Sequence, residues 1–142
     1  MSIELAVQWG DMDALGHVNN VMFFRYLESS RVAYLAALGL GSVRDSGGVG
    51  FILQHAECRF RRPVFFPDTL RIGARLVSID TDRFTLTHEI TSVARGETVA
   101  VGRGTIVTYD YAAGSKVLVP DRVRRAMLAI EPGFAAEPPR ES

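Results

Sequence analysis

Apolar and polar residues change their spacing once along this chain. Between Val21 and Leu38 they recur at helical intervals, with Phe24, Leu27, Leu35 and Leu38 on one face. Phe23, Ala33, Tyr34 and Ala37 broaden that stripe until most of the segment is apolar, the pattern of a helix buried on several sides. Gly39 and Gly41 end it. From Phe51 onward the period is two. Phe51 to Phe60 reads as a strand that Arg61-Arg62-Pro63 interrupts, and Leu70, Ile72, Ala74 and Leu76 alternate with Arg71, Gly73, Arg75 and Val77. Phe84, Leu86, His88 and Ile90 alternate with threonines and Glu89, and Thr98 to Tyr109 forms a last long strand. Asp80-Thr81-Asp82 and Arg95-Gly96 are the turns between them. Gly102 and Gly104 inside the last strand mark a bend or a close backbone approach.

Shorter elements complete the chain. Glu4 to Trp9 alternates loosely and predicts a first strand, and Asp121 to Ile130 predicts a short helix capped by Asp121. Gly41 to Gly50 is glycine-rich and polar and reads as a mobile connection. The tail from Glu131, with three prolines, is expected to be disordered, which sets one domain over residues 1–130 and a tail over 131–142. A strand, one long apolar helix and about four antiparallel strands in hairpin order predict an α+β fold in which a single sheet curls around the helix. Such a monomer leaves an edge strand and part of the helix uncovered, and a two-fold dimer would hide both.

Composition narrows the function classes. The 142 residues are 47% hydrophobic and carry 16 Lys plus Arg against 16 Asp plus Glu, so the net charge is zero. That balance gives no support for a nucleic-acid partner. A single cysteine, Cys58, excludes an intramolecular disulfide, and no Cys/His cluster has zinc spacing. The N-terminus lacks the pattern of a signal peptide, and Arg25, Glu28 and Arg31 interrupt the most apolar stretch. No membrane partner and a cytoplasmic location are the expectation.

The chemistry concentrates just ahead of the long helix. Trp9 to Asn20 holds Asp11, Asp13, His17, Asn19 and Asn20, a polar loop delivered to a helix start. Unpaired N–H groups and partial positive charge there suit a carbonyl oxygen, and a neighbouring carboxylate can attack the carbonyl or activate water. On the residues alone, Asp13 reads first as an Asx turn or helix-capping residue, and Asn19 or Asn20 suits capping the helix. Asp11 reads as a loop-forming acceptor, His88 as a satisfied core histidine, and Glu28 as an ion-pair partner of Arg25 or Arg31.

Gly10-Asp11-Met12-Asp13-Ala14-Leu15-Gly16-His17-Val18-Asn19-Asn20, followed by Phe24-Arg25-Tyr26-Leu27-Glu28, resembles the hotdog-fold acyl-CoA thioesterases of the 4-hydroxybenzoyl-CoA thioesterase type. Arg62-Pro63-Val64, Pro67-Asp68-Thr69-Leu70 and Val119-Pro120-Asp121 extend the similarity over nearly the whole chain. The resemblance implies a five- or six-stranded antiparallel sheet around a central helix and an obligate homodimer, with tetramers as a further possibility. Two sites lie at the subunit boundary, and the substrate is an acyl thioester of coenzyme A or of a carrier protein. It implies no metal or redox cofactor. Asp13 stands where the family places its catalytic carboxylate, as nucleophile or general base, and the polarising backbone N–H falls at Asn20. His17 would orient the carboxylate or water, or donate to the thioester. His-Val-Asn-Asn is also similar to plant acyl-carrier-protein thioesterases, but those have an Asn two residues after the Asp where this chain has Leu15. Arg59, Arg61 and Arg62 are expected to meet coenzyme A phosphates, and Phe24 an acyl or aryl group. A non-hydrolytic acyl-thioester-binding module and a hotdog hydratase or dehydratase are the alternatives.

Overall fold

The computed structural model describes residues 1–40 and 48–137. Strand β1 (Ser2–Ala6) leads through a 3-10 turn at Trp9–Asp11 to the long helix α1 (Asn20–Ala37). Strands β2 (Val49–Phe60), β3 (Thr69–Ile79), β4 (Arg83–Ser92), β5 (Glu97–Asp110) and the two-residue β6 (Ser115–Lys116) follow, then helix α2 (Asp121–Ile130). The sheet runs β1-β3-β4-β5-β2, with β6 on the end of β5, and every pairing is antiparallel. The sheet and its central helix have the expected hotdog architecture.

The strand order departs from simple hairpins. β3, β4 and β5 follow one another, but β2 pairs with β5 from Val49↔Asp110 to Phe60↔Ala100, so the chain crosses the sheet between β2 and β3. The cause is α1: its two neighbours in sequence, β1 and β2, lie on opposite edges, and the helix spans the curved sheet between them. Alternation within strands says nothing about which strands are neighbours.

Helix α1 buries much of the broad stripe its spacing suggested, but Phe24 turns outward. Phe23, Tyr26, Leu27, Ser30 and Tyr34 are buried, whereas Phe24 is 39% exposed. A helix apolar on most sides gives periodicity no way to choose. The sheet chooses, because β5 offers bare backbone beneath Leu27. A Cβ at Gly102 would lie 2.5 Å from both Leu27 Cδ atoms. Helix α2 starts at Asp121, but Pro120 occupies the cap position and no side chain caps it, so Asp121 contributes only charge to the first turn.

Residues 131–137 lie against the sheet. Glu131 Oε1 accepts from the Tyr34 hydroxyl at 3.1 Å and from the Leu76 N–H at 3.0 Å, where a bulge interrupts β3. Glu137 bridges Arg75 and Arg103 on the outer face of the sheet. The expected tail beyond residue 137 and most of the expected mobile connection, residues 41–47, lie outside the described residues. Among the described residues no helix is long and apolar enough to cross a membrane.

The core divides in two along α1. One cluster, around Phe23, Leu27, Val64 and Ile90, underlies the helix start, and another, around Tyr34, Phe84, Val123 and Met127, its end. Between them sits a buried polar pair, Ser30 Oγ and His88 Nδ1 at 2.8 Å. His88 is wholly buried, and its Nε2 has no partner among the described residues. Burial, and next the Arg31 charge, push the imidazole down to about 4. The unfolded chain takes up this proton below pH 6.5 and the folded chain only below about pH 4, so between those values protonation favours unfolding. Unfolding free energy from urea titrations should therefore fall as pH drops from 6.5 to 4, by about 3 kcal/mol at most from this residue. His88→Asn should flatten that pH dependence, and an unchanged slope would show that another group carries it.

Candidate active site

The loop ahead of α1 is a small hairpin closed by a Met12↔Val18 bridge. The Asp13 N–H donates to His17 O at 2.7 Å and the Gly16 N–H to Asp13 O at 3.1 Å. Gly16 has φ +83°, a conformation that disfavours any residue with a Cβ. The Val18 N–H donates to Val64 O at 2.8 Å, pinning the loop to the segment after β2. Asp and Gly at these turn positions are therefore explained by local geometry.

Asp13 makes the expected Asx turn: its Oδ1 accepts the Leu15 N–H at 2.9 Å. That bond occupies one carboxylate oxygen and fixes the side chain's direction. Oδ2 takes no hydrogen bond among the described residues, and the side chain is exposed. Turn-making and chemistry are thus compatible in one residue. Asn19 is the helix cap: its Oδ1 accepts the Val21 N–H at 3.0 Å, and its carbonyl accepts the Met22 N–H. Asn20 is the first residue of α1, and its N–H is left without a partner among the described residues.

Asp13, Leu15, His17 and Asn20 line a cleft of about 420 Å³ together with Phe60, Arg61, Arg62, Pro63, Val64 and the buried Phe23. A carboxylate, an imidazole, a helix-start N–H and two guanidinium groups therefore meet in one concavity beside an apolar wall. His17 is half-buried and stands edge-on to Phe65, ring centroids 5.2 Å apart, while the Arg95 guanidinium covers that ring at 4.5 Å.

Two expected residues fall elsewhere. Arg59 does not line the cleft. Alternation along β2 puts it on the outer face of the sheet, in a smaller depression with Glu57, Arg103 and Thr87 that Arg61 also borders. Phe24 lies beside the cleft, its ring 6.5 Å from that of Phe60. Phe60 and Val64 were the less obvious lining residues, since nothing in an alternating strand marks the residue at which it leaves the sheet. Cys58 packs inward against the core, and burial pushes its thiol up to about 11, so it is a poor nucleophile. Among the described residues no cluster of His, Cys, Asp or Glu could hold a metal ion.

Residues 7–127 match the family model of the thioesterase-like superfamily. The chain belongs to that superfamily. It is a thioester hydrolase with the hotdog fold. A 1,4-dihydroxy-2-naphthoyl-CoA hydrolase from Thermosynechococcus vestitus is 27% identical over 117 residues, covering 81% of this chain and 80% of its own. A Thermus thermophilus thioesterase solved in complex with coenzyme A and Zn is 28% identical, with a TM-score of 0.81 and 92% of each chain covered. A 1,4-dihydroxy-2-naphthoyl-CoA thioesterase from Synechocystis shares the fold at 20% identity, with a TM-score of 0.79 over 89% of this chain and 93% of its own.

Asn19 holds the helix start that this superfamily member presents to the cleft. Asn19→Ala should lower stability by about 1 kcal/mol, the usual loss for an N-cap. Thermal unfolding should show the midpoint fall, and an unmoved midpoint would mean that the cap bond adds nothing.

Proposed function

We propose that this enzyme hydrolyses acyl or aryl thioesters of coenzyme A, with Asp13 as the catalytic carboxylate. The observation that carries the reading is the shared cleft of Asp13, with one carboxylate oxygen uncommitted, and Asn20, with its helix-start N–H unpaired. The thioester carbonyl oxygen accepts the Asn20 N–H and gains charge as the carbonyl carbon becomes tetrahedral. The helix start stabilises that charge, an effect whose loss typically costs about 10² to 10³ in rate.

Asp13 either attacks the carbonyl carbon, forming an anhydride that water then opens, or takes a proton from water as the water attacks. In both routes the carbon–sulfur bond breaks, the sulfur leaves with the electron pair and is protonated, and the acid and free coenzyme A are released. His17 borders the same cleft and orients the carboxylate or the water. Arg61 and Arg62 supply fixed positive charge for phosphates, and Arg59 continues it onto the outer face. Phe23, Phe60 and Phe24 form edge-to-face ring contacts and give the acyl or aryl group an apolar wall.

The active form in this reading is a homodimer. β2 is an edge strand, and on it Leu53 and Phe60 are 41% and 40% exposed; Val21 and Val32 on α1 are 71% and 58% exposed. Phe60 belongs both to this apolar surface and to the cleft, so a second copy covering the surface also closes the cleft. Light scattering should give about twice the 15.6 kDa chain mass. Leu53→Asp should shift the protein towards monomer and lower turnover with it; a fully active monomer would remove the partner from the account.

Thiol release from acetyl-, hexanoyl-, palmitoyl- and benzoyl-CoA and from an acyl-carrier-protein thioester tests the reaction. Asp13→Asn should keep the thermal midpoint and lose at least about 100-fold in kcat on the preferred thioester. Undiminished turnover in that variant would end the assignment of Asp13. Tight binding of every thioester with no thiol release would instead favour a binding module.

A further inference from the structure

Asp13 stands on the loop and the Asn20 N–H on the helix, and the chemistry needs both at fixed separation. Two hydrogen bonds tie the stretch that carries Asp13 to α1 and its cap, and both fall on Asp11. The Asn19 N–H donates to the Asp11 carbonyl at 2.9 Å, and the Tyr26 hydroxyl donates to Asp11 Oδ2, also at 2.9 Å. The same Oδ2 accepts the Gln8 N–H at 3.0 Å, which holds the 3-10 turn beneath it.

Tyr26 is suited to such a task. It lies in the second turn of α1, on the face that rests on the sheet, and is only 5% exposed. Its ring packs edge-on to Phe23, which lines the cleft. The backbone beneath it therefore moves only if the core moves. Its phenol proton is held far above the ordinary range, first by burial and then by the Asp11 carboxylate, so the group remains a hydrogen-bond donor at every working pH. A donor fixed to the helix and an acceptor two residues before Asp13 make a strut across the site.

We infer that Tyr26, acting through Asp11, is a positioning residue that sets the Asp13 carboxylate against the Asn20 N–H. The inference rests on the assignment of Asp13 above. A misplacement of about 1 Å can cost on the order of 100-fold in rate, so a strut that leaves the fold intact still has a large kinetic effect. Loss of the hydroxyl keeps the ring in the core and leaves Asp11 its Gln8 bond. The expected change is therefore in turnover rather than in folding or affinity.

The test is a double-mutant cycle in kcat and KM, on whichever coenzyme A thioester of the panel above is cleaved fastest. Tyr26→Phe should lower kcat about tenfold or more, with KM within about twofold and the protein still folded at the assay temperature. Asp11→Asn, whose amide oxygen accepts the same hydroxyl, should retain most of the turnover that Asp11→Ala loses. Tyr26→Phe should have no further effect once Asp11 is alanine. Unchanged kcat in a Tyr26→Phe variant that has merely lost thermal stability would overturn the inference, as would an equal fall in the Asp11→Ala background. Should Tyr26→Phe not fold, equal turnover of Asp11→Asn and Asp11→Ala would overturn it independently. Asp13→Asn, assayed alongside, separates the two failures: if it is inactive while Tyr26→Phe is unaffected, only the strut falls.

Discussion

The contact between Leu27 and the backbone of β5 governs the geometry of this protein. Gly102 leaves no side chain beneath the helix, and Leu27, wholly buried, fills the space that a Cβ would need. This fixes the depth of α1 on the sheet, and with it the height of the helix start above the end of β2. Val64, on the segment after β2, then receives the Val18 N–H, and the loop is held where that start is. A larger residue at position 102 would have to displace the buried Leu27 side chain, the contact on which the helix rests. In the proposed mechanism, an ordinary packing contact thus bears on the separation of Asp13 and the Asn20 N–H.

Rigidity and access are divided between the faces of the helix. The sheet-facing side is close-packed except for the Ser30–His88 pair, which keeps a neutral imidazole between the two apolar clusters. The opposite side carries exposed Val21, Phe24 and Val32 beside the charged Arg25 and Glu28, and the β2 edge exposes Leu53 and Phe60. The cleft lies where these surfaces meet, its polar wall supplied by the loop and its apolar wall by Phe60 and Phe23. A ligand with a charged, elongated end and an apolar reacting end matches that polarity, which is why a coenzyme A thioester is a better fit than a small polar ester.

Much of this was legible in the chain. Period-two spacing located β2 to β5 to within a few residues, because each has one face on the helix and one away from it. The glycine at position 102 correctly signalled a close approach, and the clustered polar residues before Val21 correctly marked the helix start. The buried stripe of α1 was legible in Phe23, Leu27 and Tyr34 but not its edge, since Phe24 and Phe23 are chemically alike and only packing on the sheet separates them. Strand order was hidden too: the pairing of β2 with β5 depends on where the helix must cross, and no local pattern encodes that. The arginines show the same limit. Arg59 and Arg61 look like one basic cluster in sequence, yet only Arg61, beyond the end of β2, reaches the cleft. The Tyr26–Asp11 bond spans 15 positions and had no signal beyond the spacing of two ordinary residues.

A structure with a non-hydrolysable acyl-CoA ketone, in which carbon replaces the thioester sulfur, tests the central claim most directly. The account predicts the ketone oxygen within about 3 Å of the Asn20 nitrogen and the carbonyl carbon facing the uncommitted Asp13 oxygen. An analogue seated with its carbonyl away from both groups, or held on the outer face beside Arg59 and Arg103, would contradict it.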